Sequence, residues 1–179
     1  MQPASTCDLF AAIKSRRSVR SFQSVPVPPA AIEQLVDAAR WAPTPSNLQT
    51  LCFVAVQDPF AISTLKALSP GFPAQGTSAI IVCSDRRKVR GCEGNFGRTI
   101  VIEEAAMAAQ NIQLAAHGLS LGTCAVASFS CAGVRELIDL PEPVWPVLIV
   151  ALGVPAAQPP APERRAVAQL LSWEAYKEG

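Results

Sequence analysis

The amino-acid sequence predicts a mixed α and β fold in which one sheet is flanked by helices. Three observations carry this reading. Short apolar runs of strand length alternate with stretches of helical periodicity, no internal repeat interrupts the alternation, and 50% of the 179 residues are apolar, which is ample for a core.

The elements follow in chain order. Leu9, Phe10 and Ile13 share one helical face behind a Thr6 or Asp8 cap, which predicts a short helix leaving through Lys14-Ser15-Arg16-Arg17-Ser18-Val19-Arg20. Pro28 and Pro29 suit the first turn of a second helix, whose Ile32, Leu35, Val36 and Ala39 face inward until Ala42-Pro43 stops it. Pro43-Thr44-Pro45-Ser46-Asn47 is a turn-rich loop. Leu51 to Val56 has a strand's length, a helix follows around Ile62, Leu65 and Leu68, and a Pro/Gly loop from Ser69 to Gly76 leads to a second strand, Ala79 to Cys83.

Residues 85 to 98 are charged, carry glycines and lack periodicity, which predicts a mobile loop able to serve as a lid. Thr99 to His117 reads as an alanine-rich helix whose small side chains let other backbones approach, placing it centrally. A strand from Thr123 to Ala127, a helix from Ala132 to Ile138 and a β-branched strand from Val147 to Leu152, ending at Gly153, complete the alternation. After Val154, prolines at 155, 159, 160 and 162 predict a stiff extended arm over 154–179, and its Trp173 and Tyr176 need a surface, expected on another subunit. The chain 1–179 is thus read as a single domain with a C-terminal arm.

Composition excludes several classes. Fifteen Lys plus Arg against 14 Asp plus Glu leave a net charge of +1, with no electrostatic reason to expect nucleic acid or an anionic membrane as partner. Six cysteines, at 7, 52, 83, 92, 124 and 131, form no Cys-x-x-Cys pair and accompany one histidine, so no metal site is expected. Cys52, Cys83 and Cys124 lie in apolar runs, as buried thiols of a reducing cytoplasm would. The first eight residues are polar, without a signal core, and no 18-residue apolar run suggests a membrane span.

Other candidates have plain readings. His117 is expected to be structural, and Cys124 and Cys131 to be packing residues without basic neighbours. Glu103 and Glu104 point apart on a helix and are read as solvated or capping. There is no Gly-x-Gly-x-x-Gly and no Gly-Lys-Ser/Thr phosphate loop. Arg16 to Arg20 place three guanidiniums and a serine hydroxyl within five residues, a chemistry that matches phosphate oxygens. Alone, the run reads as solvated surface charge.

Its context differs from that of a surface run. It is followed by Ala42-Pro43-Thr44-Pro45-Ser46-Asn47-Leu48-Gln49, by the strand Phe53-Val54-Ala55-Val56, and by the segment from Ala109-Gln110-Asn111 through His117-Gly118 to Gly122-Thr123-Cys124. In this order and spacing the set resembles the nitroreductase family of flavoproteins, from Leu9 to Leu171. The resemblance implies an α+β fold with a central, mainly antiparallel sheet flanked by helices, an entwined homodimer, and FMN sites at the subunit interface.

It also implies roles. Arg16, Arg17 and Ser18 would hold phosphate and ribityl, Arg20 would stand by the N1 and C2 carbonyl edge of the flavin, and Thr44, Pro45 and Asn47 would reach the partner's flavin. Ala127 and Ser128 would present a backbone amide to N5, and Arg164 or Arg165 would close on the phosphate. No side chain need act as acid or base. The activity implied is hydride transfer from NAD(P)H through FMN to a nitroaromatic, quinone or similar small-molecule acceptor by a ping-pong cycle. A different reaction on the same cofactor (dehalogenation, dehydrogenation or flavin fragmentation) and a flavin-binding module without turnover stay open. The sequence departs from the family where Thr50-Leu51-Cys52 replaces the usual Pro-Trp, where the segment between Pro59 and Ala79 lacks the asparagine of larger members, and where their helical cap is missing. A shallow or mobile pocket is expected.

Overall fold

A computed structural model describes residues 8–89 and 94–176. In chain order it contains α1 (Leu9–Ser15), α2 (Pro29–Ala39), β1 (Leu51–Val56), α3 (Pro59–Leu68), β2 (Ser78–Asp85), α4 (Gly94–Gly118), β3 (Gly122–Val126), α5 (Cys131–Leu137) and β4 (Val144–Gly153). The sheet order is β1-β2-β4-β3 and its three pairings are all antiparallel, so the expected central antiparallel sheet is present.

Alternation along β2 builds a core on each side. Ile80 and Val82 point to the face covered by α2 and α4, where they meet Ile32, Leu35, Ala105, Ala108 and Ile112. Ile81 and Cys83 point to the other face, against Ile62 and Leu65 of α3 and Val134 of α5. The alanines of α4 explain why this long helix can lie so near α2 and the sheet. Being central, β2 is buried from Ser78 through Ser84, which is why it reads as a continuous apolar run.

Four departures from the sequence reading have physical causes. Helix α4 begins at Gly94 rather than Thr99, because Gly97 and Ile100 pack inward where glycines had masked the periodicity. Much of the segment expected to be a mobile loop is therefore ordered: Arg86–Lys88 form a 3-10 turn and 94–98 are helical, while 90–93 lie outside the described residues. Strand β4 begins at Val144 rather than Val147, with Pro146 inside it. Proline has no amide to give the ladder, and it stands opposite Cys83, where the pairing register shifts.

The fourth departure concerns α1. Asp8 caps it by accepting from the Phe10 amide, whereas Thr6 lies outside the described residues. Its apolar face is not packed by the other described residues: Phe10 is 71% exposed, Leu9 and Ile13 are also exposed, and only Ala12 is buried. The arm beyond Val154 carries a second set of exposed apolar residues, Val167, Leu170, Leu171, Trp173 and Tyr176. Among the described residues no helix is long and apolar enough to cross a membrane.

Candidate functional site

The basic segment after α1 is fixed across one end of the sheet. Ser18 pairs in parallel with Thr123 at the start of β3, and the Val19 amide donates to the Thr123 carbonyl at 2.9 Å. Farther on, the Gln23 amide donates to the Val154 carbonyl and the Ala156 amide to the Ser21 carbonyl, each at 2.9 Å, tying the segment to the exit of β4. Two glycines make room for this crossing. A β-carbon on Gly122 would stand 2.8 Å from Val19 Cβ, and one on Gly153 would stand 2.9 Å from Phe22 Cδ1. Six consecutive residues, Ser18 to Gln23, are thereby held in place, which a solvated charge run would not require.

Arg16 and Arg17 line a cavity of about 270 Å³ together with His117, Ser120, Thr123 and Gln158. Within it, Arg16 Nη1 is buried and has no hydrogen-bond partner among the described residues. Burial, then the like charges of Arg17 and Arg164, lower the pKa of the Arg16 guanidinium from its ordinary value. Arg16, Arg17, Arg20, Arg164 and Arg165 make no ion pair among the described residues. A buried guanidinium donor without an acceptor is costly, and three cations repelling one another raise that cost. An anion with several acceptor oxygens removes both penalties.

The five cations are not equivalent. Arg17 Nη1 donates to the carbonyls of Lys14 at 2.7 Å and Arg16 at 2.9 Å, so it caps the end of α1 as well as lining the cavity. Arg165 Nη2 donates to the Gln169 carbonyl at 2.8 Å, within its own arm, while Arg164 is the one whose field reaches Arg16. His117, expected to be structural, is in the cavity wall, and its Nε2 lies 2.7 Å from Ser15 Oγ, joining the ends of α1 and α4. The sequence offered no signal for this, because the two residues are 102 positions apart.

Strand β3 connects the cradle to the second half of the site. Four residue steps separate Thr123 from Ala127, roughly 13 Å at the usual strand rise. A ligand held at both ends must therefore be elongated. β3 is an edge strand, and Ala127 and Ser128 are exposed just beyond it. Gly71 backs them so closely that an added β-carbon would meet Ser128 Oγ at 2.7 Å. The thiol of Cys124 is pushed up by burial, while the fields of Arg20 and then Arg16 act in the opposite sense. Cys124 therefore does have basic neighbours, contrary to the sequence reading, and both arginines lie within electrostatic reach of the same strand. Next to Arg20, Ser21 Oγ donates to Gln75 Oε1 at 3.1 Å, which brings the loop before β2 to the site.

Ala127 also lines a larger cavity of about 810 Å³ with Phe129, Arg86, Arg98 and Trp145. Trp145 is not a free stacking platform there, since Arg86 and Arg135 stand 4.4 and 4.3 Å from its ring centre.

Thr44, Pro45 and Asn47 line neither cavity. Their loop is a constrained 3-10 turn: Ser46, Asn47 and Gln49 have φ of 48, 55 and 48°, and the Gln49 amide donates to Thr44 Oγ1 at 3.1 Å. It is anchored by Thr50, fully buried, whose hydroxyl donates to Glu104 Oε2 at 2.5 Å and accepts from Ser84 Oγ at 3.1 Å. Glu104 is itself wholly buried rather than solvated, and its Oε1 has no partner.

The nitroreductase family model matches residues 13–69 and 64–154 of the chain. A Methanothermobacter thermautotrophicus protein, whose provisional name pairs NADH dehydrogenase with NAD(P)H nitroreductase, is 31% identical over 163 residues, covering 87% of this chain and 81% of the relative. An NADPH-dependent oxidoreductase of Staphylococcus epidermidis is 28% identical over 83% of this chain, which spans 65% of that longer protein. Among solved structures, a nitroreductase family protein of Clostridium difficile superposes with a TM-score of 0.83 at 26% identity, covering 95% of this chain and 100% of the other. The NADPH:FMN oxidoreductase of Vibrio harveyi, solved with NAD+, shares the fold at a TM-score of 0.85 and 24% identity, over 95% of this chain and 78% of its own.

Proposed function

This chain belongs to the nitroreductase family, and from that premise we propose that it is an FMN-dependent oxidoreductase, working as a homodimer between NAD(P)H and a nitroaromatic, quinone or similar acceptor. The observation that carries the cofactor assignment is the unpartnered, buried Arg16 Nη1 among uncompensated arginines at one end of the β3 edge. That donor set asks for a phosphate, and the exposed edge leading to Ala127 and Ser128 asks for an extended ligand behind it.

In this reading Arg16 and Arg164 grip the phosphate, with Arg17 and Ser18 holding phosphate and ribityl. Arg165, turned into its own arm, is secondary. Arg20 supplies a fixed cation for the edge on which reduction leaves negative charge, so it tunes the potential. The backbone at Ala127 and Ser128 supplies a donor that follows hydride arrival and departure without titrating. Thr44, Pro45 and Asn47, which line neither cavity of their own chain, serve the site of the other subunit. Bound there, FMN supplies a hydride acceptor and donor at N5, serving donor and acceptor in turn. The free thiols Cys52, Cys83, Cys124 and Cys131 agree with a reducing, cytoplasmic setting.

An absorption spectrum and an anaerobic titration test this. The purified protein should bind about one FMN per chain, and NADH or NADPH should bleach it. A flavin-loaded protein that neither nucleotide bleaches would sink the oxidoreductase assignment.

A further inference from the structure

Away from the cradle, the opposite edge of the sheet holds a pair of thiols that hydride transfer does not use. Cys52 on edge strand β1 and Cys83 on β2 stand directly opposite each other in an antiparallel pairing. Directly opposite residues point to the same face, and Cys52 packs against the cluster that contains Cys83. The Asp85 amide donates to the Thr50 carbonyl two steps earlier in the same ladder. Hydrogen-bonded pairs recur every second residue, so Cys52 and Cys83 are such a pair, with α-carbons about 5.5 Å apart, inside the range a disulfide spans. Both are free thiols in the structure.

We propose that Cys52 and Cys83 form a peroxide-oxidisable dithiol, in which Cys52 reacts first and Cys83 resolves it to a cross-strand disulfide. The two thiols differ as this order requires. Cys52 is half-buried and open to a small oxidant, whereas Cys83 is fully buried. The neighbouring Cys83 thiol pulls Cys52 down to about 7, with Lys88 assisting against burial and Asp85, while Cys83 Sγ donates to the Ile81 carbonyl at 3.7 Å. The proximity of Cys52, with burial, pushes Cys83 up and keeps it protonated until it is needed.

The chemistry balances. The Cys52 thiolate attacks one oxygen of a hydroperoxide, the O–O bond breaks, an alcohol or water leaves after taking a proton, and Cys52 becomes a sulfenic acid. Cys83 sulfur then attacks Cys52 sulfur, the S–O bond breaks, and the hydroxide leaves with the Cys83 proton as water. Two thiols lose two electrons and one peroxide is reduced.

The test uses the full chain, reduced, desalted and then treated with a small excess of hydrogen peroxide before alkylation and peptide mapping. The expected product is a 52–83 linked peptide pair, two hydrogens lighter and reversed by dithiothreitol. In C83A, Cys52 should stop at a sulfenic acid trapped by dimedone, and its alkylation at pH 7 should slow about tenfold, because the neighbouring thiol that favours the Cys52 thiolate is lost. Oxidation of the wild type that leaves Cys52 and Cys83 unlinked, or links Cys52 elsewhere, overturns the proposal. So does a Cys52 in folded C83A that alkylates as fast as in the parent. Neither readout depends on flavin, so this inference and the proposed function fail separately.

Discussion

Val19 lies so close over Gly122 that a β-carbon there would stand 2.8 Å from Val19 Cβ and 2.9 Å from both of its methyls. Because Val19 also bonds to Thr123, this contact sets how Arg16, Arg17 and Ser18 are presented. Gly122→Ala should cost about 1–3 kcal/mol by overpacking and weaken FMN binding at least about tenfold. Adding Val19→Ala should restore much of the affinity. Flavin fluorescence quenching and thermal melts check both, and unchanged affinity in Gly122→Ala would remove the segment from the site.

The arginines should separate by variant. Arg16→Met removes a charge-assisted phosphate contact of about 1.5–3 kcal/mol, which predicts roughly 10- to 100-fold weaker FMN binding. It also removes a buried, unpartnered donor from the apo protein, whose melting temperature should rise. The two effects have opposite signs. Arg165→Met, whose guanidinium is directed to the Gln169 carbonyl, should change affinity less than Arg164→Met does. Parallel titrations and apo melts of the three variants decide this.

Strand and helix order was legible because periodicity and proline positions report local geometry: β1 and α2 lie where Leu51–Val56 and Pro29 place them. What escaped was non-local. Whether Arg16 is surface charge or a cradle depends on Thr123 and Arg164, more than a hundred positions away. Glu104 looked solvated because a sequence does not show that Thr50 and Ser84 arrive from two strands to accompany it. Gln75 escaped for the same reason, its partner being Ser21. The start of α4 was missed because glycine, weak in an isolated helix, masks the periodicity of a first stretch in which Gly97 and Ile100 are buried.

Gly71 backs Ser128, at the end of the site where, on the proposed function, hydride would arrive. A β-carbon there meets the hydroxyl of Ser128 at 2.7 Å and Val126 Cγ1 at 3.3 Å. The nearer atom is a mobile hydroxyl, so Gly71→Ala should cost less than about 1 kcal/mol of stability while shifting Ser128. Stopped-flow reduction by NADPH should slow about tenfold with FMN affinity near wild type. A proportional loss of both would indicate general damage instead.

Thr50 is the one donor to Glu104 among the described residues, and the network is buried throughout. Thr50→Val leaves a buried carboxylate without that bond and should cost about 1–3 kcal/mol, or some 3–8 °C for a chain of this size. Combining it with Glu104→Met removes both partners and should be less destabilising than Thr50→Val alone. Chemical denaturation of the two variants measures the coupling.

The exposed face of α1 and the exposed end of the arm are best tested together, because both lack cover within the chain. Phe10 is 71% exposed, and Trp173 and Tyr176 are exposed to a similar or greater degree. Deleting the arm from Val154 would also break the bonds that Gln23 and Ser21 make to Val154 and Ala156, so point substitutions give the cleaner experiment. Phe10→Asp with Ile13→Asp, and separately Trp173→Asp, place charge on surfaces that a second copy would have to desolvate in the proposed homodimer. Each should raise the dimer dissociation constant at least about a hundredfold, equivalent to roughly 2.7 kcal/mol. FMN should be lost in step with the dimer, since Thr44, Pro45 and Asn47 do not reach their own chain's cradle. Sedimentation velocity at several concentrations, read with the FMN absorbance of each species, gives both quantities. A monomer that keeps stoichiometric FMN would show that one chain completes the site.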